Sequence, residues 1–290
     1  MILSTVKTDS GTTAHIHLRN GLVPVQLLNE SFHLNFPTDL FSLIQSGRIK
    51  ELQDWLGSID QSQLIVIPID KSKYEPLYRQ PRKIWGIGLN YKEHAADLNE
   101  VSPTDEPASY MRPDTTIIGY GDEIQIPLQS NNVTAEAELG IIIGKKCKNV
   151  ERENWLDVVA GFTTILDMTE VDVLKKNPRF LTRSKCYDTF FSFGPTLVTP
   201  DEIEDVMKLK IATIINGKVQ AENVVSNMTF PPDYLVSFHS KVMTFLPGDI
   251  ISTGTPGATP IKHGDTVECR ITGFYPLINN VVDLKTAISF

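Results

Sequence analysis

The chain has 290 residues, 41% hydrophobic and 21% charged, which is enough to bury one large core or two modest ones and shows neither repeats nor low-complexity tracts. A formal net charge of −8 without a Lys/Arg cluster argues against a nucleic-acid partner. No apolar stretch reaches transmembrane length, the N-terminus lacks a signal peptide's pattern, and Cys147, Cys186 and Cys269 follow no metal or disulfide spacing, so a cytoplasmic protein without a membrane partner is expected.

The first thirty residues read as a small β-meander. Thr12 to Leu18 alternates, Asn20-Gly21 is a hairpin turn and Leu22 to Leu28 resumes the strand, with His15 and His17 expected on its solvent side. Thr38-Asp39 offers an N-cap, and Leu40, Ile44, Ile49, Leu52 and Leu56 predict one or two short amphipathic helices ending at Gly57. Pro68, Pro76 and Pro81 then interrupt the pattern. This predicts a small N-terminal α+β domain over residues 1–75 and a larger one over 80–290.

The larger part opens with a strand, Lys83 to Leu89, and a short helix that Asn90 can cap, with His94 and Asp97 on one face. Gly86 and Gly88 lack the third glycine and long helix of a dinucleotide fingerprint. Short strands follow at Ser109 to Pro113, Thr115 to Ile118 and Ile124 to Pro127. Glu136 to Ile143 is a β-branched run bounded by glycines, hence a buried strand on which Glu136 and Glu138 point the same way. Two carboxylates side by side repel unless a proton or a cation neutralises them. Asp167 ends a second β-rich run beginning at Gly161; if the two strands pair, three carboxylates converge. Three oxygen donors without His or Cys suit a hard cation, Mg²⁺ or Mn²⁺. The alternative is that alternating Glu simply marks the solvated face of a strand.

Glu151 to Val159 reads as a helix between those strands, and the basic stretch Lys175 to Lys185 as a loop lying over another part of the molecule. A helix near Pro200 to Val206, a hairpin about Asn216-Gly217, a helix from Asp233 to Val242 and a tail of strands and tight turns complete the pattern. The whole describes a β-rich α+β architecture.

Several segments occur in a specific order: Gly88-Leu89-Asn90-Tyr91 with His94 beyond, Glu136-Ala137-Glu138-Leu139, Gly161 to Thr169, Ser184-Lys185-Cys186-Tyr187-Asp188-Thr189-Phe190, Gly194-Pro195, Asn216-Gly217, Pro247-Gly248-Asp249-Ile250-Ile251 and Thr253-Gly254-Thr255-Pro256-Gly257. Together they resemble the fumarylacetoacetate hydrolase family over roughly residues 83 to 290. The resemblance implies a mixed β-sandwich roll as catalytic domain and a homodimer. It places Glu136, Glu138 and Asp167 on the ligands of Mg²⁺ or Mn²⁺, His94 on the catalytic histidine and Lys185 on an active-site lysine. Asp97, one helical turn from His94, can orient it.

The implied activity is a metal-dependent hydrolase that cleaves a carbon–carbon bond in an acylpyruvate or related β-diketo or 2-oxo acid. The nearest alternative uses the same metal-enolate step as a decarboxylase or isomerase of hydroxymuconate-type diacids, or as a dehydratase of 2-keto-3-deoxy sugar acids. A further alternative is a binding or scaffold protein that has kept the fold. Three departures bear on substrate. Many relatives carry Arg, a carboxylate clamp, at the position of Val171; they carry Lys where this chain has Arg112-Pro113; and Gly273-Phe274-Tyr275-Pro276-Leu277 is bulkier than the usual glycine-rich turn. Arg112, with Arg183, is therefore the expected substitute clamp, and Thr255 a further substrate contact.

Overall fold

A computed structural model describes residues 1–9, 11–69, 73–92 and 103–287. Its spine is the antiparallel pair Val133–Ile143 and Val159–Glu170, buried along the whole length of both strands. Their near-continuous apolar and β-branched sequence is that of strands covered on both faces. Around them the described residues build a 13-stranded mixed sheet whose main path runs Gly21–Pro24, Gly11–Leu18, Ile2–Thr8, Thr196–Val198, Val159–Glu170, Val133–Ile143, Ile250–Ser252, Ile84–Gly88, Ala108–Arg112. A second, five-stranded sheet orders Lys218–Val224, Lys210–Ile215, Thr266–Ile271, Leu277–Asp283 and Glu123–Ile126. This is the β-rich α+β fold that the pattern predicts.

Alternation along the central strand sorts its side chains between two cores. Ala135, Ala137, Leu139, Ile141 and Ile143 share one apolar cluster with Ile211, Val267, Cys269 and Leu277 of the five-stranded sheet. Ile142, with Ile165 of the partner strand and Ile250, belongs to the opposite cluster, which also holds Leu3, Leu43, Ile44 and Leu197. Glu136 and Glu138 have the parity of Ile142 and lie on that second face.

The N-terminal segment enters the same sheet, since Ile2, Leu3 and Ser4 pair with Val198, Leu197 and Thr196. Helices Leu40–Gln45 and Ile49–Ser58 supply the second cluster with Leu40, Leu43, Ile44, Leu52 and Leu56. Asp39 caps the first of them, its carboxylate accepting from Ser42 N at 2.8 Å. Residues on both sides of position 75 thus share a sheet and a core.

Several local expectations are corrected. The strand expected through Leu28 stops at Pro24, and Val25–Phe32 is helical, with Pro24 at the N-cap and Val25 and Leu28 buried. His15 is buried rather than solvent-facing, its Nδ1 3.0 Å from Thr13 O. His17 sits 3.0 Å from Ser4 Oγ through Nε2, with its ring beside Tyr74 and Tyr275. The paired strand and the rings of Tyr74 and Tyr275 cover the side of His17 that the alternation alone marks as outside. The expected helix at 151–159 is a 3-10 run, Arg152–Val158, without a buried side chain to anchor a regular helix. The region near 200–206 likewise forms 3-10 turns, Pro200–Glu202 and Val206–Lys208. The basic segment is helical, as Val171–Lys176, Pro178–Phe180 and Leu181–Ser184. Among the described residues no helix is long and apolar enough to cross a membrane.

Candidate active site

Strand register brings the acids together. Asp167 stands directly opposite Glu136, and Ile165 opposite Glu138, so all three carboxylates project from one face of the central pair. One oxygen from each of Glu136, Glu138 and Asp167 lies within 4.8 Å of the others. Their exposures of 7%, 1% and 0% rule out the solvated-face reading.

Each carboxylate has its own donors. Glu138 Oε2 accepts from Ser252 Oγ at 2.5 Å and from Gly254 N at 2.9 Å. Gly254 has φ +94°, and a Cβ there would stand 2.8 Å from Asn90 Cβ, so glycine is required on both counts. Asn90 anchors that turn, donating to Thr253 O at 2.7 Å and Phe230 O at 3.0 Å and accepting from Phe230 N at 2.8 Å. Glu136 Oε1 accepts from Thr169 Oγ1 at 2.6 Å. Lys185 Nζ reaches Glu136 Oε2 at 3.1 Å, Asp167 Oδ1 at 3.0 Å and Thr169 Oγ1 at 2.7 Å. Asp167 accepts in addition from Tyr110 Oη and from the Arg112 guanidinium, which also donates to Phe190 O at 2.5 Å. The Tyr110 ring fills the space that a Cβ on Gly86 would need, its Cζ 2.1 Å from that point.

Electrostatically the site is unbalanced, with three buried carboxylates facing the two buried cations Lys185 and Arg112. Burial, reinforced by the charge of Asp167, pushes Glu138 up to about 8. Burial also opposes ionisation of Asp167, but Arg112, Lys185 and the Tyr110 hydroxyl hold it below the usual carboxylate range. Lys185 is kept charged by Asp167 and Glu136 against the cost of burial. Closely spaced, buried, all-oxygen donors, one of which holds a proton that a cation would displace, fit a hard divalent cation.

Of the residues expected to act, Glu136, Glu138, Asp167 and Lys185 are brought together. His94 and Asp97 lie outside the described residues. Arg112, expected as a substrate clamp, has its guanidinium buried against Asp167 and Phe190 O, so in this structure its fork is engaged by an acid and a carbonyl. Arg183 is exposed, its guanidinium 5.5 Å from the Phe180 ring centroid. The Thr255 hydroxyl is buried within its own turn, bonded to Gly257 O at 3.1 Å. Reasoning from sequence missed Tyr110, Thr169 and Ser252. Two of them left a signal: Thr169 is two residues from Asp167 on one strand face, and an isolated glycine within a strand, here Gly86, marks close approach by another group.

The family description Fumarylacetoacetate (FAA) hydrolase C-terminal matches residues 83–282. An uncharacterized protein of Archaeoglobus fulgidus is 39% identical over 252 residues, covering 84% of this chain and 96% of the relative. Human mitochondrial oxaloacetate tautomerase FAHD2A is 34% identical over 230 residues, covering 76% of this chain and 73% of its own. Among solved structures, maleylpyruvate hydrolase from Sphingobium sp. SYK-6, in complex with manganese (II) ion and pyruvate, superposes with a TM-score of 0.80 at 26% identity, over 98% of this chain and 99% of that one. The matched segment contains all three acids and Lys185, and the likeness in fold extends over the N-terminal part as well. This chain is a member of the fumarylacetoacetate hydrolase family.

Proposed function

We propose that this chain is a divalent-metal-dependent enzyme that acts on a small 2-oxo acid through its enolate, with hydrolysis of a carbon–carbon bond in an acylpyruvate-type substrate as the net reaction. The observation that carries the proposal is the convergence of Glu136, Glu138 and Asp167 with Lys185 in one buried site. Mg²⁺ or Mn²⁺ held by the three acids would act as a Lewis acid toward the 2-oxo carboxylate and its enolate. Ser252, Gly254 N and Thr169 fix the rotamers of Glu138 and Glu136 before any ligand arrives. Lys185 contributes a fixed ammonium beside the acids, where it stabilises negative charge developing on a substrate oxygen. His94, with Asp97, is proposed to take the proton from water in the hydrolytic step. The manganese and pyruvate held by the structurally similar maleylpyruvate hydrolase support a 2-oxo acid at this place. Assembly as a homodimer belongs to the same proposal, and a monomeric mass by light scattering would remove it.

A second reading keeps the enolate step and omits water attack, giving a tautomerase or isomerase. The 34% identity to an oxaloacetate tautomerase favours it, as does Val171 in place of the carboxylate-clamping Arg expected from the family resemblance. Product analysis over acetylpyruvate, fumarylpyruvate and oxaloacetate with Mg²⁺ or Mn²⁺ decides between the two. Two carbon fragments, absent with Glu138→Ala, establish the hydrolase; accelerated enol–keto exchange without cleavage establishes the second reading. Turnover that persists in Glu138→Ala would sink both.

A further inference from the structure

The segment from Val171 to Lys185 leaves the end of the strand that bears Asp167 and Thr169 and returns to the site. It starts at Glu170, whose Oε2 accepts from Val173 N at 2.6 Å as the helix cap, and it finishes with Lys185 among the acids. Between those anchors, Val171–Lys176 packs on Val133–Ile143, the strand of Glu136 and Glu138, and Leu181–Ser184 packs on Ala108–Arg112, the strand of Tyr110 and Arg112. The segment therefore lies against both strands that carry the site's side chains.

Its outer side is cationic. Lys175, Lys176 and Arg179 are exposed, and among the described residues none of them pairs with a carboxylate. The one acid within the segment, Asp172, accepts from Asn131 N at 3.4 Å. Such a run in a chain of net charge −8 creates a local field opposite in sign to that of the whole molecule. Lys175 also stands one helical turn after Val171 and so shares its side of the helix, exposed to solvent.

We propose that Lys175, Lys176 and Arg179 form a cationic rim that draws multiply charged anions to the acid-lined site, so that dianionic acids are captured in preference to monoanionic ones. The acid class of the ligand rests on the functional reading above. Solvated side chains of this kind act on encounter and binding through a screened field and leave the chemical step alone.

The test is calorimetric titration of Mn²⁺-loaded protein with oxalate, a dianion, and pyruvate, a monoanion, for wild type and for Lys175→Gln/Lys176→Gln/Arg179→Gln. The triple variant should weaken oxalate binding roughly fivefold near 0.01 M ionic strength, where the Debye length is about 30 Å, and the difference should fade towards about 0.5 M. Pyruvate should weaken only about twofold at low salt, since its charge is half as large. Equal oxalate affinity in variant and wild type, or a loss that salt does not alter, would overturn the rim. Should the triple variant melt early, Arg179→Gln alone carries the same comparison with a smaller change. Wild-type protein that binds neither anion would overturn the functional reading and the rim with it, whereas oxalate binding indifferent to the variant overturns the rim alone.

Discussion

Asp167 is restrained by three donors, two of them charged, and this decides what its neighbours do. Arg112 neutralises a fully buried carboxylate, and deleting it leaves Asp167 with Lys185, already shared with Glu136, as its charged partner, at a cost of up to about 3–5 kcal/mol. Arg112→Ala should therefore lose stability of that order in urea unfolding, with added Mg²⁺ recovering part of it, while KM changes little relative to kcat. Wild-type stability combined with a many-fold higher KM would return Arg112 to the substrate. Gly86→Ala probes the same acid from below. Its methyl group cannot coexist with the Tyr110 ring, so Tyr110 must leave Asp167 while the strand backbone is kept. Mn²⁺ titration should then show affinity lowered by about 10- to 100-fold, as for loss of a hydrogen bond that orients a ligand. Wild-type affinity would mean that Tyr110 only packs.

At the level of elements, the turn Thr253 to Gly257 reaches Glu138 through one backbone N–H, and its conformation is one that Gly254 alone tolerates. Gly254→Ala should strain that turn by about 1–3 kcal/mol and weaken metal binding by shifting the N–H that Glu138 accepts from. A melting curve unchanged in both the absence and presence of Mn²⁺ would refute it. The acids themselves were legible in sequence because a strand has period two: Glu136 and Glu138 must share a face, and only the pairing partner of Asp167 remained open. The burial of Glu136 to Ile143 was legible from its β-branched run, while the covering of its acid-bearing face was not. Other elements were not, and the reasons are physical. Pro24 ends a strand whose apolar pattern continues, because Val25 and Leu28 fit a helix face equally well. The 171–184 segment was visible as a basic stretch, but its pieces are too short and too interrupted by Pro178 to show a helical period. Tyr110, Arg112 and Ser252 act on acids more than fifty residues away in sequence, and no local pattern encodes such a meeting.

For the whole molecule the open matter is whether residues before and after position 75 unfold as one body, and His17 offers a handle on it. Burial, with a smaller contribution from the charge of His15, brings His17 down to about 4 from the ordinary 6.5. Between those values the unfolded chain binds a proton that the folded chain refuses. The neutral-ring stability is therefore complete above about pH 6.5 and is lost as pH falls through 4, at most about 3 kcal/mol and less to the extent that water reaches the ring. His15 and His239, both lowered by burial, act with the same sign. Strand Gly11–Leu18, which holds His17, pairs with Ile2–Thr8, and that strand pairs with Thr196–Val198 next to the central pair. Loss at His17 should then reach the acid site, and calorimetry should show one transition whose midpoint falls between pH 6.5 and 4, less steeply in His17→Gln. Two transitions, of which only the first moves with pH and only the second with Mn²⁺, would show that the shared sheet and core do not couple the two parts.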